Sequence, residues 1–357
     1  IEDSMAYEHD LTVYIGRFQP FHLGHLALLQ QALQRGERCV VVLGSCFQAR
    51  TPRNPFTRDE RIAMIHLNLT PEQQARVVFV SMRDYYDDAR WVAAVRREVG
   101  KIAAQGARVG LIGHFKDATS DYLRRFPGWN LMPQDRMGAI DAVHLRDALF
   151  QGKDDPAAAL AVVAPHVPEG TLGFLRAWLA LPFLLPLSEE WRTLRAYKAE
   201  WATAPYPPVF TTVDAVLRCR NHVLLIQRGQ APGKGLFAVP GGFLEARETV
   251  YQSAVRELRE ETHLGLLESD LAQALRNVAV FDHPDRSQRG RIITHAHYFE
   301  LDSDELPEVR GGDDAASAQW VAIADLAAME DRFHDDHFHM LDHFLGITDA
   351  GAGYLTT

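Results

Sequence analysis

Strand-like and helical runs alternate over the first 150 residues, and this alternation limits the folds open to the chain. Each strand-like run is short, apolar and rich in β-branched residues, and a stretch with helical spacing follows it. The expected strands are 12–15, 39–43, 77–81 and 109–112, with helices near 24–35, 57–69, 89–104 and 117–125. The pattern predicts an α/β domain, a parallel sheet with helices on both faces.

The pattern changes after a proline-rich segment. Residues 156–200 look helical, and Ala204-Pro-Tyr-Pro-Pro208 then interrupts the chain with three prolines. Strands are expected at 209–217, 221–227, 278–281 and 292–300, with helices near 248–262 and 322–329. We therefore predict a first domain at 8–185, a connecting segment at 186–205 and an α+β second domain at 206–346.

Composition narrows the class of protein. The chain has 357 residues, 47% of them hydrophobic and 24% charged, which suits two folded domains. Its net charge of -10 argues against a non-specific nucleic-acid binder, which needs a basic face. The longest apolar run, at 174–187, is interrupted by Arg176, Pro182 and Pro186, so no membrane span is expected. We expect small-molecule partners, no nucleic acid and no membrane, and leave a homo-oligomer open.

The three cysteines follow no metal-ligand spacing and form no even framework, which indicates a reducing, cytoplasmic location. No signal peptide is expected, and residues 1–4 ahead of Met5 are interpreted as an added remnant.

The first strand-to-helix turn carries the first chemical signal. It reads Gly16-Arg-Phe-Gln-Pro-Phe-His-Leu-Gly-His25 and lacks the spacing of dinucleotide-binding and Walker loops. The amides of such a turn and the dipole of the following helix attract an anion. His22 and His25 are three residues apart, so a helical start brings them to one side. The turn predicts a phosphate site.

This stretch resembles the HxGH signature of the nucleotidyltransferases, and its longer form resembles archaeal-type nicotinamide mononucleotide (NMN) adenylyltransferases. Three more segments follow in that family's order: Arg53-Asn-Pro-Phe-Thr57, then Asp84 with Asp88-Ala-Arg-Trp91, then Ile140-Asp-Ala-Val-His-Leu-Arg146. The resemblance spans roughly residues 10–150. It implies a Rossmann-like domain that transfers AMP from ATP to NMN.

The resemblance also implies residue roles. His22 and His25 would donate to phosphate oxygens, while Arg53 and Arg146 would clamp the triphosphate. Trp91 would stack on the nicotinamide ring, with plain core packing as the alternative. The remaining implied substrate contacts are Gly16, Arg17, Phe18, Asp84 and Asp88. Arg58 and Arg61 are expected to be surface or ion-pair residues instead.

Two departures from the family concern this domain. Asp141 and Val143 stand where the second signature carries hydroxyls, so a donor to phosphate is lost. Asp88 stands where the family often has asparagine. Since Arg146 is kept, we expect adenylyl transfer to survive.

A charged run in the second domain keeps one spacing throughout: Gly242-x5-Glu248-x7-Arg256-Glu-Leu-Arg-Glu-Glu-Thr-His-Leu264. On a helix, Glu257, Glu260 and Glu261 share one face. Carboxylates crowded in this way repel one another unless a hard cation joins them, and oxygen ligands suit Mg²⁺ or Mn²⁺. The run predicts a metal site, with Glu248 as a fourth ligand.

This run resembles the Nudix box and implies an α/β/α sandwich that hydrolyses a diphosphate, with Glu257, Glu260 and Glu261 as catalytic residues. Arg256 is interpreted as an ion-pair partner that orients them. His263 replaces the glycine that ends the box helix, where φ > 0 is often required, and Gly265 is expected to take over that turn.

The segment after the box resembles the subgroup that handles ADP-ribose. It implies phosphate or ribose contacts from Arg286 and Arg291, with a solvated loop as the alternative. A cluster farther on suggests either a second metal site or helix-surface histidines: His334, Asp335, Asp336, His337 and His339.

Together the halves resemble the bifunctional NMN adenylyltransferase/Nudix hydrolase family. The resemblance implies ATP, NMN, NAD and ADP-ribose as small-molecule partners, and Mg²⁺ or Mn²⁺ at both sites. Two alternatives stay open for the second domain. It could sense a metabolite without turnover, or it could hydrolyse another nucleoside diphosphate derivative.

Overall fold

The computed structural model describes residues 7–113, 118–134 and 140–348, so the interpreted remnant at 1–4 lies outside the described residues. The chain forms two compact units that divide between Glu189 and Glu190. This division falls within the segment 186–205 that was expected to connect the domains, and much of that segment is helical. The bounds 8–185 and 206–346 stay predictions.

The first unit is built from strands and helices in alternation. In chain order they are β1 (His9–Gly16), α1 (Leu23–Arg35), β2 (Gly36–Leu43), α2 (Arg58–His66), α3 (Pro71–Arg76), β3 (Val77–Ser81), α4 (Asp88–Gly100), β4 (Val109–Gly113), β5 (Asn130–Pro133), α5 (Ala142–Gln151), α6 (Pro156–Val163) and α7 (Glu169–Trp178). The next helix, α8 (Leu184–Glu200), contains the point of division.

The sheet of the first unit is parallel and has the order β3-β2-β1-β4-β5. Side chains of β1 alternate between its two faces: Val13 joins the core that includes Val95 of α4, whereas Thr12 Oγ1 donates to Ala32 O of α1 at 3.1 Å. The strand order reverses at β1, so a crevice opens beyond its carboxyl end, where ligands bind in such sheets. The predicted α/β fold is confirmed, and the turn at 16–25 lies at this crevice.

The second unit continues from α8 with more strands and fewer helices than the first. These are β6 (Val209–Cys219), β7 (His222–Arg228), β8 (Phe237–Ala238), β9 (Gly241–Phe243), α9 (Val250–Thr262), α10 (Glu268–Ala274), β10 (Leu275–Phe281), β11 (Arg291–Leu301), β12 (Ala315–Ala322) and α11 (His337–Leu345). Its sheet has the order β10-β11-β6-β7-β12, with β8 paired to β7 and β9 paired to β6. Only β11 and β6 run parallel along that path.

Two cores cover the two faces of this mixed sheet. Leu217 of β6 packs in the same core as Leu258 of α9, and its neighbour Val216 packs in the same core as Phe338 of α11. Helix α9 begins at a capping box in which Thr249 and Gln252 satisfy each other's backbone amides. The α+β interpretation is confirmed, and the charged run becomes a helix packed on one face of the sheet.

Some elements differ from the prediction. The stretches near 118–125 and 323–332 form 3₁₀ rather than α-helix. The described helices include none that is both long and apolar enough to span a bilayer. The three cysteines are buried free thiols.

Candidate active sites

The turn after β1 brings its two histidines into direct contact. His22 caps α1, and the His22 and His25 rings stack with centroids 3.6 Å apart. Each ring accepts a backbone amide at Nδ1: His25 N donates to His22, and His22 N donates to His25, both at 3.3 Å. A neutral imidazole that accepts at Nδ1 carries its proton on Nε2. The pair is therefore arranged as two Nε2–H donors at a helix start, which is what a phosphate requires.

Packing behind the turn fixes these rings. Phe18 has φ 54° and a side chain 1% exposed, whose ring lies 4.9 Å from that of His25. A Cβ on Gly16 would lie 2.7 Å from the Phe18 ring, so glycine is needed there. The Phe18 side chain is thus a support behind His25, and the implied substrate contact of Phe18 stays a prediction.

An arginine cluster surrounds the same turn. Arg146 is 7% exposed, and its Nη1 donates to Gln19 O at 2.8 Å. Burial, together with the positive charges of Arg17 and Arg53, lowers the pKa of Arg146 to about 10. Three guanidinium groups that disfavour one another's charge form a site in which an anion with several charges is stabilised. The structure thus brings Arg17, Arg53 and Arg146 together, as expected of a triphosphate clamp.

Arg61 was expected at the helix surface or in an ion pair, and that expectation is wrong. It is 1% exposed, and Nη1 donates to Arg17 O at 2.9 Å and to Gly44 O at 2.6 Å. Nη2 lies 3.1 Å from Cys46 Sγ. Arg61 therefore ties the loops after β1 and β2 together from inside the unit. Arg58, in contrast, is exposed and pairs with Asp59.

Two residues predicted for the nicotinamide pocket contact other side chains of the first unit. Asp84 accepts from Ser45 Oγ at 2.9 Å and from Gln48 Nε2 at 2.6 Å, so it joins the loops after β2 and β3. Trp91 packs edge-on against Phe126 with ring centroids 6.1 Å apart. These contacts give both residues a structural role in the described state and leave the implied ligand contacts as predictions.

Asp88 lies apart from this group. It is the first residue of α4, is exposed and forms an ion pair with Arg125 at 2.6 Å. The N-cap of that helix is Asp87, whose side chain accepts from Arg90 N. The implied substrate contact of Asp88 stays a prediction.

The altered second signature starts helix α5. Asp141 is its N-cap and accepts from Val143 N at 2.9 Å, while the Val143 side chain is 52% exposed. The carboxylate thus satisfies the helix amides itself. Asp141 also favours the charged form of Arg146, whose pKa it raises against the stronger effect of burial.

In the second unit, Arg256 gathers the carboxylates of the charged helix. Its Nε donates to Glu248 Oε2 at 3.0 Å, and its Nη1 donates to Glu257 Oε1 at 2.8 Å and Glu260 Oε2 at 3.0 Å. Burial opposes the charged guanidinium, but these bonds outweigh it and raise the pKa of Arg256. The ion-pair interpretation of Arg256 matches these contacts.

Glu261 points inward, away from that network. It is 4% exposed and accepts from Gly241 N at 2.9 Å. Burial, reinforced by the charge of Glu257, raises the pKa of Glu261 to about 8. Burial also raises the pKa of Glu257, and a Cβ on Gly242 would collide with the Glu257 carboxylate. Strand β9 and helix α9 thus pack closely around two acids.

These acids fit a divalent cation. Burial raises the pKa of both Glu257 and Glu261, and a hard cation, which prefers oxygen ligands, would favour their charged forms. Among the residues that the structure describes, no three His, Cys, Asp or Glu side chains already form a metal-binding group. Arg256 holds three of the four predicted ligands, so ligation by Glu248, Glu257, Glu260 and Glu261 remains a proposal.

The end of the box helix is unusual. His263 adopts φ 52° and ψ 28°, so the histidine itself makes the left-handed turn, and the expectation that Gly265 would take it over is wrong. The loop 310–312 covers the last carbonyls: Arg310 N donates to Thr262 O and Gly312 N to Glu261 O, both at 3.0 Å.

The two arginines after the box make contacts within the second unit. Arg286 is 5% exposed and forms a bidentate ion pair with Asp336, with both N–O distances 2.8 Å. The solvated-loop alternative is therefore wrong for Arg286, and the implied phosphate or ribose contacts of both arginines stay predictions. Arg291 donates to Asp282 O at the start of β11. In the cluster at 334–339, His334 and Asp336 are buried, so the alternative of helix-surface histidines is wrong for His334.

Sequence reasoning missed several charged groups of the second unit. Asp214 is 5% exposed with its pKa raised to about 6 by burial, and Thr294 Oγ1 donates to it at 2.5 Å. Arg228 ends β7, and its charge and that of Glu261 act on each other. An arginine directly after an apolar strand was the available signal for Arg228, whereas Asp214 sits inside a strand and carried none.

Known proteins resemble each unit separately and both together. Residues 13–112 match the Cytidylyltransferase-like family and residues 209–344 the NUDIX domain family. A nicotinamide/nicotinic acid mononucleotide adenylyltransferase of Acinetobacter baylyi is 38% identical over 187 residues, 52% of this chain and 95% of that one. An ADP-ribose pyrophosphatase of Methanocaldococcus jannaschii is 37% identical over 114 residues, 32% of this chain and 62% of that one.

A solved structure from Francisella tularensis spans both units. This bifunctional NMN adenylyltransferase/ADP ribose pyrophosphatase, complexed with AMP and a Mn ion, superposes with a TM-score of 0.86 at 34% identity, covering 95% of this chain and 99% of that one. Fold and sites therefore define an enzyme that joins a nucleotidyltransferase to a Nudix hydrolase. The chain belongs to the bifunctional NMN adenylyltransferase/ADP-ribose pyrophosphatase family.

Proposed function

We propose that the first unit transfers AMP from ATP to NMN, giving NAD and pyrophosphate, and that the second hydrolyses ADP-ribose to AMP and ribose 5-phosphate. The observation that carries this proposal is the presence of two separate phosphate-handling centres. One is the stacked His22–His25 pair among three arginines, and the other is the buried Glu257–Glu261 pair.

In adenylyl transfer, a phosphate oxygen of NMN attacks the α-phosphorus of ATP and the bond to pyrophosphate breaks. Negative charge grows on phosphoryl oxygens, so preorganised donors accelerate the step. The Nε2–H groups of His22 and His25 would donate to those oxygens, and the Arg17, Arg53 and Arg146 charges would hold the leaving pyrophosphate. Mg²⁺ or Mn²⁺ on the triphosphate would neutralise part of its charge.

In ADP-ribose hydrolysis, water attacks a phosphorus of the diphosphate and the bridging P–O bond breaks. Glu248, Glu257, Glu260 and Glu261 would hold Mg²⁺ or Mn²⁺, which supplies charge neutralisation and an acidified water. Arg256 keeps three of these carboxylates together, so it prepares the ligand set before the cation arrives. The Gly241 amide holds the fourth, Glu261, toward the protein interior.

A substrate panel tests the proposal. The purified chain is incubated with Mg²⁺ and ADP-ribose, NADH, a sugar nucleotide or a dinucleoside polyphosphate, and separately with ATP and NMN, and products are separated by chromatography. We expect NAD from the ATP and NMN mixture, and the fastest hydrolysis with ADP-ribose. Binding of ADP-ribose without turnover would indicate a sensor, and a faster rate on another diphosphate would reassign the substrate.

Removal of divalent ions gives a further prediction. Treatment with EDTA should abolish both reactions, and either Mg²⁺ or Mn²⁺ should restore them, because each reaction develops charge on phosphoryl oxygens. Full hydrolysis in excess EDTA would contradict the proposed role of the four glutamates.

A further inference from the structure

The second unit contains a cavity of about 190 Å³. Helix α8 forms one side, and the loop after β7 with two later loops forms the others. The lining residues with polar side chains are Thr193, Tyr197, Arg228, Gln230, Arg289 and Asp314. Two of these, Thr193 and Tyr197, precede residues 209–344 that match the NUDIX family, so this wall is an addition to the family fold.

Specific contacts hold α8 on the second unit. Glu190 accepts a hydrogen bond from the Gly233 amide and feels the charge of Arg228. Thr193 lies about one helical turn after Glu190 and Tyr197 about two turns after it, so all three are on the same side of the helix. The Tyr197 ring lies 6.1 Å from that of Phe210 on β6. The helix is therefore a fixed wall of the cavity.

Two arginines and one carboxylate line the cavity. The Nε atom of Arg289 is buried and makes no hydrogen bond within the described part of the chain. Burial and the charge of Arg289 lower the pKa of Arg228, and burial raises the pKa of Tyr197 against the opposing charge of Arg289. The one carboxylate, Asp314, accepts at Oδ1 from Gln230 Nε2 at 2.9 Å. Two arginines suit a phosphate, and a carboxylate with an amide suits sugar hydroxyls.

The cavity lies beside the Nudix glutamates. Arg228 lines it, and the charges of Arg228 and Glu261 act on each other. Arg289 lies over the ring of Phe243, 5.2 Å from its centroid, and Phe243 ends the strand that carries Gly241 and Gly242. A diphosphate cleaved at the glutamates would thus have one of its two halves next to this cavity.

Size and chemistry indicate which half. Pockets that enclose a whole ligand measure roughly 300–1,000 Å³, so 190 Å³ suits one part of a substrate. A purine needs flat apolar walls on both faces, whereas this cavity offers the single ring of Tyr197 among charged and hydroxyl groups. A ribose phosphate matches the arginines and the acceptors together.

We propose that this cavity holds the ribose 5-phosphate half of ADP-ribose, with Arg289 and Arg228 on its phosphate and with Tyr197 and Asp314 on its hydroxyls. The proposal rests on ADP-ribose hydrolysis by the second unit. It makes helix α8, outside the Nudix fold, a determinant of substrate specificity.

Product inhibition of ADP-ribose hydrolysis tests the binding sites of the two substrate halves separately. The inhibition constant of AMP measures binding of the AMP half, and that of ribose 5-phosphate measures binding of the ribose 5-phosphate half. In the full chain, Arg289→Met should raise the inhibition constant of ribose 5-phosphate about tenfold, as loss of a charge-assisted bond would. Tyr197→Phe should raise it about threefold. The inhibition constant of AMP should stay within about twofold in both. Arg289→Lys should recover part of the loss.

Arg276→Met and Tyr206→Phe are matched controls, since both residues are exposed and outside the cavity. A rise in the AMP constant alone, or no change in either, would overturn the proposal while leaving hydrolysis intact. If the wild-type chain failed to hydrolyse ADP-ribose, calorimetry would replace kinetics. Ribose 5-phosphate is then titrated into wild-type and Arg289→Met chains; a weaker affinity of the variant supports the cavity site and equal affinities contradict it.

Discussion

His263 shows how a single residue can break a family pattern and keep its geometry. A left-handed turn at the helix end costs an L-residue roughly 1–2 kcal/mol, with histidine among the residues that visit it more readily. Its Nδ1 lies 3.3 Å from Arg310 O, in the loop that covers the helix end, and a Cβ on Gly312 would collide with its ring. The loop and the histidine therefore fit one another.

We expect His263→Val to lower the free energy of unfolding of the second unit by about 1–2 kcal/mol, because a β-branched residue tolerates φ > 0 poorly. His263→Gly should stay within about 1 kcal/mol of the wild type, since relief of strain offsets the entropy of glycine. Denaturant unfolding of the three chains measures this. Equal stability of the valine and glycine variants would contradict the strained turn.

The role of a residue was predictable where its position relative to its partner depends only on their separation within one helix. The stacking of His22 on His25 follows from a helix start, and the ion pairs of Arg256 follow from a helix face. Burial was not predictable, because it depends on what packs from distant parts of the chain. Arg61 was expected at the surface or in an ion pair, and Arg286 at a ligand or in a solvated loop, yet both side chains are buried by segments distant in the sequence.

At the scale of elements, the first site depends on a bond between two loops. Gln19 Nε2 donates to Phe56 O and Gln19 Oε1 accepts from Phe56 N, both at 2.9 Å and buried. This links the histidine turn to the segment that carries Arg53. Arg146 completes the link by donating to Gln19 O.

Gln19→Leu keeps the side-chain size but leaves two buried backbone groups without partners, at about 1–3 kcal/mol each. We expect a less stable first unit and a higher KM for ATP in NAD synthesis, with unchanged ADP-ribose hydrolysis. Gln105→Leu, on an exposed residue, is the control. An unaltered KM for ATP would show that the linked loops do not position the arginine cluster.

Helices and strands were predictable where their hydrophobic residues recur with a regular spacing. The first four strands of the parallel sheet were expected within a few residues of their bounds. In contrast, β5, β12 and α10 were not expected. β5 and α10 are short, and β12, although eight residues long, has a single buried residue and so depends on its neighbours for its conformation. The types and spacing of the box residues predicted a metal site. The hydrogen bonds from Arg256 to three of the predicted ligands, in contrast, are seen only in the folded unit.

At the scale of the whole molecule, one chain carries two chemistries that share the nucleotide AMP. Each unit has its own sheet and its own core, and each proposed site draws its residues from one unit. We therefore expect the two reactions to use separate residues.

Measurement of both activities in two single variants of the full chain tests whether the two reactions use separate residues. His22→Ala should lower NAD synthesis by about 10²–10³-fold, the usual loss for one preorganised donor, and keep ADP-ribose hydrolysis. Because His22 also caps α1, His22→Asn retains a cap without the imidazole and should behave alike. Glu261→Gln should abolish hydrolysis and keep NAD synthesis. Loss of both activities in either variant, or of the wrong one, would contradict the two-site account.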